Sequence, residues 1–333
     1  MTTQNTQILL ASRPEGWVTE SNFNIIKTPV PSPKDGELLL KVHYMSLDPY
    51  MRGRMNAVKS YTKYQELNEV MTGGTVCEVI ESKNDKFKVG DFVSSMSGWQ
   101  QYAISNGEGI MKVDPKLAPL SYYLGILGMP GATAWIGLND IMEPKASETI
   151  AVSAASGAVG SVVGQLAKAK GCRVVGIAGG KAKCDYVVNE LGFDACVDYK
   201  AGKLKEDLRA ATPDGVDAYF ENVGGEVMDM VLTRLNAFSR IALCGLIAEY
   251  NDAEPRGIRY VRSFLVNRVK LQGFIVTEHL PRWPVAFAEI GALIKSGKMK
   301  YHETVAEGIE NAPKAFIGML KGENFGKQLV QLV

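Results

Sequence analysis

Residues 148–183 read ETIAVSAASGAVGSVVGQLAKAKGCRVVGIAGGKAK, and the succession of patterns in this stretch decides the fold. ETIAVSA reads as a short apolar strand. Gly157 to Lys170 reads as a helix, with Val159, Val162, Val163 and Leu166 on one face at helical spacing. Lys168 and Lys170 suit its C-terminal end, and Gly171 suits the left-handed cap. CRVVGIA is the next strand. Between the first strand and the helix stands Ala154-Ala155-Ser156-Gly157-Ala158-Val159-Gly160. A glycine motif that leaves a strand and opens a helix is a dinucleotide signature. Gly157 lets backbone approach a pyrophosphate, Gly160 permits close helix–strand packing, and the helix N-terminus offers N–H groups and its dipole. The first glycine of the usual pattern is Ala155 here.

The end of the second strand indicates which dinucleotide is bound. An NAD site places Asp or Glu there, against the ribose 2′-hydroxyl. Here the end reads Ile177-Ala178-Gly179-Gly180-Lys181-Ala182-Lys183, with no acid and two lysines. Lys183 would attract a 2′-phosphate. A charge-assisted hydrogen bond is worth about 1.5–3 kcal/mol, so NADPH is expected over NADH.

Outward from this unit, ACVDY, GVDAYFEN, RIALCGLI and VKLQGFIV are further buried-strand candidates, with helical patterns between most of them. Such alternation implies right-handed crossovers and a parallel sheet. Before about residue 120 the patterns are short and strand-like. ELLLKVHYMSLD, GGTVCEVIES and GDFVSSMSGW lie between turn residues and suggest an antiparallel β-barrel or sandwich. The closing GKQLVQLV reads as a strand that rejoins this first domain.

The chain has 333 residues, enough for roughly two domains. Lys+Arg 37 against Asp+Glu 36 gives a net charge of +1, with no global attraction to nucleic acid or to an anionic membrane. A basic stretch, Arg52, Arg54, Lys59 and Lys63, is the local exception. The five cysteines form no C-x-x-C, and the three histidines are too few for a His-rich metal site. This usage fits a reducing, cytoplasmic setting. The opening MTTQNTQILLASRPEGW lacks the charge and apolar run of a signal peptide. Two uncharged stretches, 118–138 and 149–167, are broken by Pro or Gly and read as buried parts of a soluble fold.

SLDPYMRGRM, LGMPGATAW, AASGAVGSVVGQLAKAKGCRVVGIAGG, YFENVGGEVMD, RIALCGLIAEYN, LQGFIV and ENAPKAFIGMLKGENFGK together carry a specific resemblance over essentially the whole chain. It resembles the medium-chain dehydrogenase/reductase superfamily, and within it the zinc-independent double-bond reductases of the leukotriene B4 12-hydroxydehydrogenase and prostaglandin reductase group. The resemblance implies an α/β fold: a GroES-like β-barrel catalytic domain from 1–122 and 300–333, and a doubly wound Rossmann NADP-binding domain over 123–299. Zinc-dependent members have a cysteine near the position of Ser46 and a histidine near that of Gly74. Both are absent here, as is their four-cysteine lobe, so no metal is expected.

Carried over by residue, the resemblance puts Ser156, Gly157, Ala158, Val159 and Gly160 at the pyrophosphate. It puts Gly179, Lys183 and Tyr199 at the 2′-phosphate end. Asn222 and the loop Cys244, Gly245, Leu246, Ile247 to Tyr250 belong to the nicotinamide half, with Phe274, Ile275, Val276 and Asn324 closing over it. The implied reaction is NADPH-dependent reduction of a carbon–carbon double bond conjugated to a ketone or aldehyde. Hydride goes to the β-carbon, and charge develops on the carbonyl oxygen. A tyrosine hydroxyl suits that oxygen, because it donates while neutral. Tyr250 is the first candidate and Tyr50 the second. Tyr64, Arg52 and Met129 are expected at the substrate. Cys244 reads as an inert buried thiol, and no G-x-S-x-G or H-E-x-x-H occurs. Two other readings stand beside this one: a quinone reductase of the same superfamily, and a non-catalytic NADPH-binding protein. The family also implies a homodimer, and relatives suggest that a bulky, flat conjugated ketone fits.

Overall fold

The computed structural model describes residues 4–333. Met1, Thr2 and Thr3, where the expected first domain begins, lie outside the described residues. The chain divides into two compact units, one holding the chain up to Gly125 together with Glu303–Val333, the other Ile126–His302. The first unit opens with an antiparallel pair, β1 (Gln4–Leu10) and β2 (Phe23–Pro29). There follow β3 (Leu38–Ser46), the short helix α1 (Tyr50–Arg54), β4 (Thr75–Ser82), β5 (Phe92–Ser95), β6 (Tyr102–Ser105) and β7 (Met111–Val113).

The second unit begins with α2 (Met129–Ile136), which carries Pro130 in its first turn, where a missing N–H costs no helical bond. Its parallel strands alternate with helices: β8 (Thr149–Ser153), α3 (Gly160–Ala169), β9 (Arg173–Ala178), α4 (Lys181–Asn189), β10 (Ala195–Asp198), α5 (Leu204–Ala211), β11 (Val216–Glu221), α6 (Gly225–Leu232), β12 (Leu235–Leu243), α7 (Arg262–Val266), β13 (Lys270–Gly273) and α8 (Trp283–Lys295). The six strands run in the order β10-β9-β8-β11-β12-β13, and every pair is parallel. This order reverses between β8 and β11, the place where open α/β sheets bind ligands. β8 is buried along its whole length, which is why TIAVS shows no apolar–polar alternation.

The chain then returns to the first unit as β14 (Glu303–Glu307), α9 (Ala312–Leu320) and β15 (Lys327–Gln331). Here the strand order is β14-β15-β3-β4-β5-β7, with β6 also paired to β3. The closing strand thus rejoins the first unit, antiparallel to β3. β14 runs parallel to β15, so the sheet is mixed rather than purely antiparallel as expected. Phe23, Trp99 and Phe316 form the aromatic centre of this unit, with Phe23 stacked on Trp99 at 5.4 Å.

Element edges differ from the sequence reading at three places. The helix after β8 starts at Gly160, not Gly157, because Gly157 N bonds back to Ala154 O at 2.9 Å and closes a turn first. β12 starts at Leu235, five residues before RIALCGLI, because its early residues are half polar. β13 stops at Gly273, and the chain turns into a 3-10 helix at Val276–Arg282. Ala118–Leu138 holds the eight-residue α2 within it, and no helix among the described residues is long and apolar enough to cross a membrane.

Candidate active site

In the second unit, the residues expected to hold a dinucleotide gather at the carboxyl ends of the parallel strands. Ala154 leaves β8 with φ of +49°, and Ala155 N bonds Ile177 O at 3.0 Å, which fixes the turn to β9. A Cβ on Gly160 would lie 2.4 Å from Ala154 O, so only glycine lets α3 begin this close to the strand end. Ser156, Gly157, Ala158 and Val159 form the turn itself, and it runs straight into α3: Ser161 N bonds Gly157 O, and Val162 N and Val163 N bond Val159 O, each at 3.0 Å. A cradle of this shape fits a pyrophosphate.

The end of β9 faces Tyr199. A Cβ on Gly179 would sit 2.8 Å from the Tyr199 hydroxyl, so the ring closes directly over this backbone. Lys181 is taken up by Asp185 at 2.6 Å. Lys183 is half-buried, and burial together with the charge of Lys200 lowers its pKa. The second ammonium was missed by the sequence reading. Lys200 follows the β10 end and lies 5.9 Å from the Tyr199 ring centre, but its strand reads as a different element in sequence. An acid does stand nearby, one strand over from where an NAD site puts it. Asp198 Oδ1 accepts Gly180 N at 2.7 Å and Lys200 N at 2.9 Å, so its carboxylate holds loop backbone. Two lysines close enough to feel each other's charge suit a phosphate.

At the switch point, Glu221 closes β11 and is wholly buried. Its carboxylate accepts the Tyr219 hydroxyl at 2.6 Å, the Ser153 hydroxyl at 2.7 Å and Val223 N at 2.5 Å. Burial raises its pKa. Asn222 is held through the same serine: its N–H donates to Ser153 Oγ and its side-chain nitrogen to Ser153 O, both at 2.8 Å. Cys244 N and Gly245 N both donate to Glu221 O, and Ile247 N donates to Asn222 O, so the loop after β12 is laid on the β11 end. Tyr250 folds back over that loop and accepts Leu246 N at 3.2 Å. The Cys244 thiol is pushed up to about 12 by burial and by Glu221. Phe274 packs edge-on against Phe220 at 6.3 Å. Ile275 caps the following 3-10 helix, and Val276 O accepts the Trp283 indole N–H. Met129 stands at the start of α2, where its carbonyl accepts the Thr133 hydroxyl.

The first unit places the remaining candidates. Tyr50 opens α1 with the Arg54 guanidinium 4.7 Å above its ring. Burial, then the charge of Asp48, raises its hydroxyl pKa well above the ordinary tyrosine value, so it is a neutral donor at physiological pH. Tyr64 is about a third exposed, lies under Arg13 at 5.0 Å, and lines an open cavity of about 260 Å³ with Met71 and Met96. Arg52 is buried, and its η-nitrogens donate to Asn56 Oδ1 and Gly16 O. Those bonds tie α1 to the chain around it. Asn324 donates to Gly326 O at 2.8 Å and so shapes the turn before β15.

Ser46 and Gly74, the positions read against zinc ligands, are neighbours: Ser46 N donates to Gly74 O at 2.8 Å. Beside them lies a charge pair that sequence reasoning missed. Ser46 Oγ donates to Asp48 Oδ2, and Lys327 Nζ donates to Asp48 Oδ1 at 2.9 Å and to Leu47 O at 2.7 Å. Lys327 is 1% exposed, so the ammonium is satisfied wholly by protein. Among the described residues, no three His, Cys, Asp or Glu side chains converge as metal ligands.

Comparison with known proteins agrees with this architecture. Residues 6–113 match the model of the N-terminal domain of oxidoreductases, and residues 158–292 match that of the zinc-binding dehydrogenases. The chain is 45% identical to the NADPH-dependent curcumin reductase of Escherichia coli (strain K12), over 99% of this chain and 97% of that one. It is 43% identical to prostaglandin reductase 1 of Rattus norvegicus, over 95% of this chain and 96% of that one. The crystal structure of CurA from Vibrio vulnificus in complex with NADPH superposes with a TM-score of 0.95 at 48% identity, covering 98% of this chain and 99% of the other. Sequence, strand order and whole-length likeness thus converge, and the chain belongs to the medium-chain dehydrogenase/reductase superfamily, in its group of curcumin and prostaglandin reductases.

Proposed function

We propose that this protein reduces the carbon–carbon double bond of α,β-unsaturated ketones and aldehydes with NADPH. The observation that carries this reading is the phosphate end of the parallel sheet, where Tyr199 closes over Gly179 and Lys183 feels the charge of Lys200, in a chain alike over its whole length to a curcumin reductase. Bound NADPH supplies the hydride.

The chain's own residues supply the rest. The turn from Ser156 to Gly160 holds the pyrophosphate, and Lys183 with Lys200 holds the 2′-phosphate. Asn222 is fixed by Ser153 and orients the nicotinamide half. Tyr250 is the donor assigned to the carbonyl oxygen of the substrate, where negative charge grows as the β-carbon accepts hydride. Its hydroxyl accepts Leu246 N, which orients the oxygen. Tyr50, kept neutral by burial and Asp48, is the second candidate donor. Tyr64 stands at the substrate mouth.

We further propose a cytoplasmic homodimer. Support comes from β13, an edge strand whose Lys270, Leu271 and Gly273 are exposed, beside exposed Leu265 and Val266. Light scattering on the purified protein tests the assembly. The activity is tested by NADPH consumption on a diarylheptanoid enone, a simple alkenal and a quinone, each repeated with NADH. Saturated ketone formed from the enone supports the reading. Turnover of the quinone alone makes the protein a quinone reductase, and binding without turnover makes it a non-catalytic NADPH-binding protein.

A further inference from the structure

Two of the five cysteines meet beside the proposed phosphate end. Cys196 lies on β10 opposite Gly176 of β9, so both point to the same face of the sheet. A Cβ on Gly176 would touch Val187, which places α4 over that face. Cys184 sits on α4 three residues before Val187, on the same side of the helix. Its sulfur lies 4.0 Å from Ala178 O, at the end of β9. The two thiols hydrogen-bond to each other. Cys184 is 8% exposed and Cys196 more so, which admits a small oxidant.

We propose that Cys184 and Cys196 form a reversible disulfide on exposure to hydroperoxides, and that this bond weakens the binding of the cofactor's 2′-phosphate.

The chemistry balances with a hydroperoxide as oxidant. The Cys184 thiolate attacks the peroxide O–O bond, gives a sulfenic acid and releases the alcohol, or water from hydrogen peroxide. Cys196 then attacks the Cys184 sulfur, the S–O bond breaks, and water leaves with the two protons. Two thiols lose two electrons, and the O–O bond gains them. The assignment of roles follows the local electrostatics. The hydrogen bond from Cys196 lowers the Cys184 pKa, and burial raises the thiols of Cys77 and Cys172.

The consequence for the cofactor rests on the NADPH reading above. Cys184 adjoins Lys183, and Cys196 stands two residues before Asp198, which holds Gly180 N and Lys200 N. Bringing the sulfurs to a bonded separation of about 2.0 Å draws the first turn of α4 onto β10. That movement shifts Lys183, the residue before Cys184, relative to Lys200 on the β10 side.

The test uses the intact protein. Reduced enzyme is exposed to hydrogen peroxide, mapped by peptide mass spectrometry, and assayed with NADPH and NADH before and after dithiothreitol. The expected result is a Cys184–Cys196 linked peptide, a KM for NADPH raised about tenfold at unchanged kcat, an unmoved KM for NADH, and recovery on reduction. Tenfold is the low end of what losing a charge-assisted hydrogen bond costs. Cys196→Ser is expected to keep its KM for NADPH through the same treatment. Absence of the linked peptide in the wild type overturns the proposal, and so does a linked pair with an unchanged KM. Lys183→Ala, assayed reduced, separates the two readings. If it leaves the KM for NADPH unmoved, the lysine assignment fails, whereas an unlinked pair sinks the thiol proposal with that assignment intact.

Discussion

Replacing Lys183 by Ala removes one of the two ammonium groups at the end of β9 and tests the choice of cofactor directly. The side chain is half-buried, and its pKa is lowered first by burial and then by Lys200. Both causes penalise the positive charge, so an arriving phosphate relieves a cost that an isolated lysine would not carry. The lost charge-assisted hydrogen bond is worth about 1.5–3 kcal/mol, or roughly 10- to 150-fold. Lys200 remains, and it also loses a like-charged neighbour, which places the expected effect near the lower bound, about 10- to 30-fold. The assay is steady-state kinetics with saturating enone, NADPH or NADH varied, at one fixed ionic strength because salt screens exposed charge. KM for NADPH is expected to rise by that factor with kcat unchanged, while KM for NADH stays within about twofold. An equal rise for both cofactors would refute the reasoning, since NADH carries no 2′-phosphate and a common change means a disturbed loop. A KM for NADPH within about twofold of wild type would refute it too.

Tyr250→Phe is expected to lower kcat by about 100- to 1,000-fold with a small change in KM for NADPH, as for loss of an oxyanion donor, measured by enone reduction. If Tyr50→Phe shows that loss instead, the first unit supplies the donor. Asp48→Ala leaves the Lys327 ammonium buried without its carboxylate, so unfolding in urea is expected to show a loss of about 3–5 kcal/mol. Glu221 carries the pH dependence. Its folded pKa is raised above the ordinary 4.5, so as pH climbs from 4.5 toward that raised value the unfolded chain releases a proton that the folded protein keeps. Stability therefore falls with rising pH across that window, and Glu221→Gln is expected to flatten the slope in pH-resolved thermal unfolding.

What was legible in the sequence is what a short segment must do for itself. β8, the turn through Gly160 and α3 are contiguous, and each needs its residue types locally: apolar on both faces, no side chain at the close approach, apolar spacing on one helix face. The strand–helix alternation implied a parallel sheet with right-handed crossovers, and the sheet is parallel throughout, in the order β10-β9-β8-β11-β12-β13. The helix start was read three residues early for a reason equally local. Ala154 at φ of +49° and the Gly157–Ala154 turn belong to neither strand nor helix, and apolar periodicity does not detect them.

The residues that escaped the reading are those whose partners lie far along the chain. Lys327 and Asp48 are 279 positions apart, and neither stands in a pattern that marks it. A lysine in a short closing strand reads as a solvated residue, because lysine is almost never buried unpaired. Only the pairing of β15 with β3 brings it to Leu47 and Asp48. Glu221 stands inside the stretch YFENVGGEVMD with nothing local to mark it, yet its value lies in Ser153, 68 positions earlier, which it holds and which in turn holds Asn222. The same holds for Lys200, an ordinary residue after a strand until β10 is laid beside β9. Local chemistry thus marked the glycine turn and the lysines proposed for the cofactor's phosphates, and long-range polar pairing placed the groups that hold the neighbouring residues still. Such pairing is invisible to periodicity, since it depends on which strands become neighbours and not on any spacing within them.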